Sequence, residues 1–395
     1  MSIRDGGKKM RKKGFRWRVP LALFSVIFGV IGLALPVGAE DVSMEDVPSA
    51  VSRWVGLLPE ELTSLLPEGM ESGDPEAVGE ATLTLTDPTV MLSLIGKLLT
   101  AGLGDALRLF AQLVGLLLIA SVFGTIRRSL SASGVSEAVS FCSTLAIFGA
   151  ILTLQGAHLT MVAKYLERLL TLVGAMIPVA GTVWAMGGNV TTASTGTATL
   201  SVFLSVCETL CAKSVIPVCT FCTAMALCQT LSPTMGIRGV AGAVKKVYTF
   251  ALSLIMTVLV ASLGSSTALT AAADSTTARS AKVLSGAVIP VVGGSVGDTL
   301  RTVAAGVQYV KTVLGVGGMA LILLLTLPTL ISLILTRTVF LLCTGIAELL
   351  GCEEEGRLLG ELGTIYGCMI AVVAMSGVMF ILALWIFVRS VVAVA

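Results

Sequence analysis

The chain is poor in charged and aromatic residues for its length. Of its 395 residues, 13% are charged, 5% are aromatic and 55% are hydrophobic, and the mean hydropathy is +0.95. A soluble domain carries about 25% charged residues, so the deficit excludes an ordinary soluble protein and predicts an integral membrane protein. The 42 glycines accompany many Ala, Ser and Thr residues, a composition typical of closely packed transmembrane helices.

Residues suited to catalysis or metal binding are also scarce. The single histidine, His158, lies near the end of an apolar stretch without an obvious partner, and we interpret it as interfacial. There is no Walker motif, no nucleotide-binding glycine loop and no nucleophile–base pair, so we expect no enzyme, no cofactor and no metal. Cys219 and Cys222 have CxxC spacing within an apolar run. Without a nearby His or carboxylate, this favours buried, inert thiols over redox or metal chemistry.

The start of the chain has almost no acidic residues, and the region after the first apolar run has almost no basic ones. Eight basic residues and one acid lie between Arg4 and Arg18, whereas residues 40–87 hold twelve acids and one base. A basic start, an apolar run and small residues at Val37 and Ala39 predict a signal peptide at residues 1–39; an uncleaved anchor is the alternative. Because the apolar run follows the basic end directly, we expect no nucleic-acid binding. Residue 40 onward is expected outside the cytoplasm.

Residues 40–105 are predicted to form an acidic extracytoplasmic leader with short amphipathic helices. Its alternatives are that it binds a partner, that it lies along the membrane surface, or that it is a solvated leader. The rest is predicted to be all-α and polytopic, with about 7–10 transmembrane or re-entrant helices. Arg127 and Arg128, and later Lys245 and Lys246, are expected at cytoplasmic ends. The apolar segments lie at residues 106–126, 138–158, 170–187, 196–212, 214–233, 247–263, 284–300, 313–335, 338–350 and 364–388, preceded by an interfacial segment at 89–104.

A short motif occurs twice in the apolar body. GAMIPVAG at residues 174–181 returns as GAVIPVVG at 286–293, with the prolines 112 residues apart. The offset predicts tandem parallel units at 106–217 and 218–329 and a partial third unit, with a C-terminal transmembrane helix, at 330–395. Proline removes a helical hydrogen bond, so the motif predicts a broken or re-entrant helix, or else a kink that only serves packing. The candidate break positions are Gly174, Pro178, Gly181, Gly286, Pro290 and Gly293.

Four ionisable residues lie within the apolar body. Glu208 and Glu348 have apolar neighbours in the sequence, and Asp274 and Arg279 are spaced closely enough to pair. Because charge inside a membrane is costly, such residues are candidates for function. A proton-coupled transporter would need unpaired carboxylates facing a cavity, and Glu208 and Glu348 are the candidates for that role.

The layout resembles the stage III sporulation protein AE family of endospore-forming bacteria. The resemblance rests on the length, the start ending in LPVGAE, the acidic leader, LIASVFGTIRRSL, the paired GAMIPVAG and GAVIPVVG motifs, and SLGSSTALTAAADSTTARSAK. It implies a multi-pass component of a channel or secretion-like complex in the mother-cell membrane around the forespore, required for endospore formation.

By the same resemblance, the partners would be other stage III sporulation membrane proteins. Independently of it, the composition predicts the lipid bilayer as a partner, and a homo-oligomer is a further expectation. The body would act as a permease or export-gate-like platform. A stand-alone proton-coupled transporter and a non-conducting membrane scaffold remain the alternatives.

Overall fold

The computed structural model describes residues 47–59, 87–129, 133–186, 190–231, 242–265 and 313–390, together with Val240 and single positions between 62 and 85. The all-α, multi-pass architecture predicted from composition is confirmed, because this part of the chain contains no strand and five helices that are long and apolar enough to cross a membrane. The helices are α1 (Val47–Val55), α2 (Pro88–Ser129), α3 (Ser133–Met186), α4 (Val190–Cys207), α5 (Lys213–Leu231), α6 (Gly242–Ser265), α7 (Gly318–Leu349) and α8 (Glu353–Ser390). Single π-helical turns, Glu208–Ala212 and Val313–Gly317, lead into α5 and α7.

Local sequence sets the helix ends that the structure describes. At the start of α2, Asp87 Oδ1 accepts hydrogen bonds from the Thr89 N–H (2.9 Å) and the Thr89 hydroxyl (2.7 Å) and so caps the helix. Pro88 occupies the first helical position, where an N–H would have no helical partner and its absence costs nothing. These two hydrogen bonds lower the pKa of Asp87. Between α7 and α8, Gly351 has φ 73°, a conformation that suits glycine. The Cys352 N–H then donates to Ala347 O at 2.9 Å and closes the end of α7.

The helices alternate in direction along the chain. α3 runs antiparallel to α4–α5 and to α7, and α5 is antiparallel to α6; α7 and α8 are antiparallel, while α3 is parallel to α8 and α2 to α7. Contacts that fix the antiparallel pairs are Gly181–Thr197 and Gln155–Thr223 (α3 with α4–α5), Tyr165–Thr326 and His158–Thr336 (α3 with α7), Cys207–Met256 and Ser214–Tyr248 (α4–α5 with α6), and Thr326–Gly377 and Ala347–Gly356 (α7 with α8). Contacts that fix the parallel pairs are His158–Tyr366 and Tyr165–Ser376 (α3 with α8), and Gly102–Leu335 and Ser121–Leu350 (α2 with α7). The C-terminal ends of α2, α5 and α7 therefore lie at one end of the bundle, the lower end. Those of α3, α6 and α8 lie at the upper end.

Four pairs of segments that hydropathy separates are continuous in the structure, so these predicted separations are wrong. The pairs are 89–104 with 106–126, 138–158 with 170–187, 196–212 with 214–233, and 313–335 with 338–350. In α3 the physical reason is the direction of the side chains. Lys164, Glu167 and Arg168 face outward while Leu166 and Leu169 remain buried, so a polar patch does not interrupt the helix.

The predicted unit boundaries at 105/106, 217/218 and 329/330 fall inside α2, α5 and α7. Much of the second unit lies outside the described residues, so the tandem repeat stays a prediction. α3 has 54 residues and is about 81 Å long, whereas a bilayer with its headgroups is about 40–45 Å thick. Part of α3 therefore extends beyond any membrane that the bundle crosses.

Part of the leader packs on the body of the protein. Val51, Trp54 and Val55 of α1 are buried in the same apolar cluster as residues of α3, and α1 packs directly against α3. Leu58 and Leu62 continue the buried face. Of the leader alternatives, full solvation is therefore wrong for this stretch, because its helical spacing of apolar residues has found an intramolecular partner.

Candidate functional site

The first GAMIPVAG motif lies within α3, and the helix does not break there. The backbone stays helical through Gly174, Pro178 and Gly181, so the predicted break is wrong at this copy, while a kink that only serves packing stays a prediction. Beyond the proline, the Thr182 hydroxyl donates to Val179 O at 2.8 Å.

The two glycines of the motif allow α3 and α4 to approach each other. A Cβ at Gly181 would lie 2.7 Å from Thr197 Cγ2, and a Cβ at Gly174 would lie 3.4 Å from Leu204 Cδ2. Both pairs are seven residues apart on their helices, so one face of α3 meets one face of α4 in a constant register. Small residues at such contacts are typical of transmembrane helix packing. The second copy, with Gly286, Pro290 and Gly293, lies outside the described residues.

The two candidate glutamates that the structure describes, Glu208 and Glu348, are exposed. Glu208 lies in the first π-helical turn, where Lys213 Nζ is 3.0 Å from its carboxylate, with the two side chains 50% and 67% exposed. The pairing follows from the π-helical turn itself, in which the Lys213 N–H donates to Glu208 O and the two side chains lie on one face. Glu348 is exposed at the lower end of α7. Asp274 and Arg279 lie outside the described residues, so their pairing stays a prediction.

The structure instead brings together neutral polar side chains inside the bundle, which we call the buried polar seam. It consists of one face of α3 and the hydroxyl-bearing residues that this face meets on α5, α7 and α8. Its members are Gln155, His158, Tyr165, Thr223, Thr326, Ser332, Thr336, Tyr366 and Ser376.

His158 lies within this seam and has hydrogen-bond partners that the sequence did not reveal; its position at a membrane interface stays a prediction. Its Nδ1 is 3.1 Å from Tyr366 Oη and 3.1 Å from Leu154 O, and its Nε2 is 3.4 Å from both Ser332 Oγ and Thr336 Oγ1. A neutral ring with its proton on Nδ1 lets Nδ1–H donate to Leu154 O or Tyr366 Oη and lets Nε2 accept from the Ser332 hydroxyl, whereas a proton on Nε2 would leave two acceptors, Nδ1 and Leu154 O, facing each other; this tautomer is assigned from the network. The ring also meets Tyr366 edge to face at 5.4 Å.

Tyr165 lies two turns above His158. Its Oη is 3.1 Å from Thr326 Oγ1 and 3.3 Å from Ser376 Oγ, and it donates to Val373 O at 3.3 Å. Gly377 makes room for this contact, since a Cβ there would lie 3.3 Å from Tyr165 Oη and 2.9 Å from Thr326 Oγ1. One phenol thus joins α3, α7 and α8.

Gln155 forms the lower end of the seam. Its Nε2 donates to Thr223 Oγ1, whose own hydroxyl donates to Cys219 O at 2.8 Å. Gln155 Oε1 is buried and has no hydrogen-bond partner among the described residues. The amide therefore ties α3 to α5 while one acceptor stays unsatisfied there.

The chemistry of the seam is that of fixed, neutral hydrogen bonds. No group of three or more His, Cys, Asp or Glu residues able to hold a metal occurs in the described part of the chain. A partly buried ion pair joins Lys245 Nζ of α6 to Glu361 of α8 at 2.8 Å, so Lys245 has a structural partner within the bundle. A sequence signal for the seam exists, because residues 155, 158 and 165 share one helical face.

Together, the bundle and its seam define an all-α, multi-pass membrane protein whose helices are fixed to each other by buried neutral hydrogen bonds. A family comparison extends this class to a particular family. The model of stage III sporulation protein AE matches residues 80–391, and the chain belongs to that family. No curated protein and no solved structure matches it. Family membership implies a role in sporulation, and the matched region includes all of α2 to α8.

Proposed function

We propose that this chain is the membrane platform of the complex that joins mother cell and forespore during endospore formation. The observation that carries the proposal is the family match over residues 80–391, because it includes the whole helical bundle rather than one short motif. A non-catalytic role agrees with the neutral chemistry of the buried polar seam. Other stage III sporulation membrane proteins are the partners that this role requires.

The proposed orientation places the upper end of the bundle in the space between the two membranes. Arg127, Arg128, Lys245 and Lys246 all belong to the lower ends of their helices, and basic residues mark the cytoplasmic side. The acidic leader precedes α2, which starts at the upper end. This arrangement supports a mother-cell membrane location with the leader available to partners across the gap.

A platform agrees with the geometry better than a proton-coupled transporter does. A coupling carboxylate is expected to face a cavity without a permanent partner, yet Glu208 is paired with Lys213 and Glu348 is exposed at a helix end. The seam, in contrast, joins α3, α5, α7 and α8 through uncharged groups. Such cross-links are suited to holding helices in one arrangement.

The experiment is an in-frame deletion of the gene in a spore-forming host, complemented with a fluorescently tagged wild-type copy. We expect the deletion to lower heat-resistant spore counts by orders of magnitude, to leave vegetative growth unchanged, and to stop late transcription in the forespore. The tagged protein should surround the engulfed forespore. Normal spore counts in the deletion strain would refute the proposal. Wild-type sporulation with Glu208→Gln and Glu348→Gln would argue further against the transporter alternative.

A further inference from the structure

We infer that a belt of charged residues on one side of the bundle is an interface with a second copy of this chain. The belt consists of exposed side chains on α2, α3 and the π-helical turn with the start of α5. Its members are Lys97, Lys164, Glu167, Arg168, Glu208 and Lys213. The inference concerns a surface outside the buried polar seam and does not depend on the role in sporulation.

The belt residues of α3 and of the continuous α4–α5 helix lie at one height in the bundle. On α3, three of them lie within one turn of Tyr165, which contacts Ser376 of α8. On the α4–α5 helix, Glu208 follows Cys207, whose sulfur is 3.6 Å from Met379 of α8. Ser376 and Met379 are one turn apart on α8, and Lys213 lies about 7.5 Å along the helix from Glu208.

The belt residue of α2 reaches the same height. A Cβ at Gly102 would lie 3.0 Å from Leu335 of α7. Thr336, which follows Leu335 on α7, contacts His158, so Gly102 is level with His158. Lys97 lies five residues nearer the upper end, about 7.5 Å above this level. Tyr165 lies seven residues above His158, or about 10.5 Å. Lys97 is therefore level with the belt residues of α3.

At this same height, α7 and α8 carry no charge at all. Residues 362–388 of α8 and 313–336, which include the upper part of α7, contain no Asp, Glu, Lys or Arg, and Ser376 lies near the middle of the former stretch. The charge-free side suits lipid. A belt of exposed charges at the depth of the most apolar helix does not, because charged side chains deep in a bilayer are costly and rare.

The chemistry of the belt favours a second copy as the occupant. The belt mixes four basic and two acidic side chains, so it can pair with its own image, whereas a surface of one sign would need a partner of the other. Only Glu208 and Lys213 form an ion pair with each other in the described part of the chain. Of the four remaining belt charges, three are basic and Glu167 is acidic, so a two-fold contact can pair Glu167 of each copy with a basic side chain of the other.

The surface beside the belt on α2 is shaped for helix packing. Leu92, Leu99 and Leu103 are exposed there. Gly96 and Gly104 would have no atom within 4 Å of an added Cβ. Exposed leucines next to open glycines let a neighbouring helix pack closely. The belt charges would then form a polar rim beside an apolar contact, which is the usual arrangement of an interface.

The first test measures proximity between copies. Two differently tagged copies are expressed together in membranes that contain no other sporulation protein, with the exposed Cys142 and Cys228 changed to serine. Lys97→Cys, Lys164→Cys or Lys213→Cys is then treated with a short bifunctional maleimide. The matched control is Val378→Cys, which is 55% exposed in the charge-free stretch of α8, two residues from Ser376.

We expect cross-links between copies at the belt positions and none at the control position. A single label at Lys164→Cys should also be protected from a quencher attached to lipid chains, whereas one at Val378→Cys should be quenched. Equal quenching at both positions, or belt cross-links only to an unrelated membrane protein, would overturn the inference.

The second test measures affinity. Glu167→Ala with Arg168→Ala removes one acid and one base from the belt, and Glu353→Ala with Arg357→Ala removes the same charges from the lower end. We expect the belt variant to reduce co-purification of the two tagged copies by about tenfold and the control to leave it unchanged. Equal loss or no loss in both would refute the belt as the interface. Because these assays need no spores, their outcome is separable from that of the gene deletion.

Discussion

Replacing Gly377 by alanine tests the central contact of the buried polar seam. The added Cβ would lie 2.9 Å from both Thr326 Cγ2 and Thr326 Oγ1 and 3.3 Å from Tyr165 Oη. Thr326 has little freedom to move away, because its hydroxyl donates to Ile322 O at 2.6 Å and its side chain is buried. The matched control is Gly345→Ala on α7, where an added Cβ meets nothing within 4 Å.

The expected magnitude follows from three contributions. Alanine is favoured over glycine within a helix by about 1 kcal/mol, so the control should be neutral or slightly stabilised. At Gly377, overpacking costs about 1–3 kcal/mol, and loss of the hydrogen bond between Tyr165 and Thr326 costs about 1 kcal/mol more. The net destabilisation of Gly377→Ala is then about 1–3 kcal/mol.

The assay is unfolding in mixed micelles by increasing SDS, followed by circular dichroism, with wild type and both variants at one protein concentration. Adding Thr326→Ala to Gly377→Ala removes both clashing atoms, so the double variant should recover part of the lost free energy of unfolding. Equal midpoints for Gly377→Ala and Gly345→Ala, or no recovery in the double variant, would refute the packing that we describe around Tyr165.

Three further changes probe other parts of the bundle. Glu361→Gln should lower the free energy of unfolding by about 1–3 kcal/mol, because Lys245 is left charged and partly buried; adding Lys245→Met should restore stability in the same SDS titration. Pro178→Ala should leave stability unchanged or raise it by up to about 3 kcal/mol, because the new N–H can donate to Gly174 O, and a clear loss would show that the kink itself is required. The lowered pKa of Asp87 means that its cap stabilises α2 above the unfolded-state pKa of about 4 and is lost as pH falls through the folded-state value. The protection factors of the amides in the first turn of α2, taken against the intrinsic exchange rate at each pH, should therefore fall below about pH 4, and unchanged protection factors would contradict the capping.

The sequence was sufficient to predict an all-helical membrane protein, because composition and hydropathy are properties of whole segments. It was also sufficient to mark Pro178 as unusual. It could not show that α3 continues through this proline, since that depends on neighbours. Gly174 and Gly181 face Leu204 and Thr197 of α4, and only the folded hairpin brings these residues together.

The buried polar seam was harder to predict. His158 and Tyr366 are 208 residues apart in the chain, and neither belongs to a motif. Their pairing requires α3 and α8 to be parallel neighbours, which no local pattern specifies. Gln155, His158 and Tyr165 do share a helical face, but the same spacing occurs on solvated helices. Whether this polar face of α3 is buried or solvated depends on the hydroxyl-bearing partners on α7 and α8.

The false breaks and the charged belt have one origin. Lys164, Glu167 and Arg168 lower the local hydropathy, and so do Glu208 and Lys213, so each group was interpreted as the end of one crossing and the start of another. Hydropathy counts residues and takes no account of the direction in which they point. In the folded chain both groups face outward at one height, while the inner faces of the same helices remain apolar. A dip in the hydropathy profile that suggests a loop corresponds here to charged side chains on the surface of a continuous helix. Because charge in contact with lipid is costly at that depth, we expect another protein surface to cover these side chains.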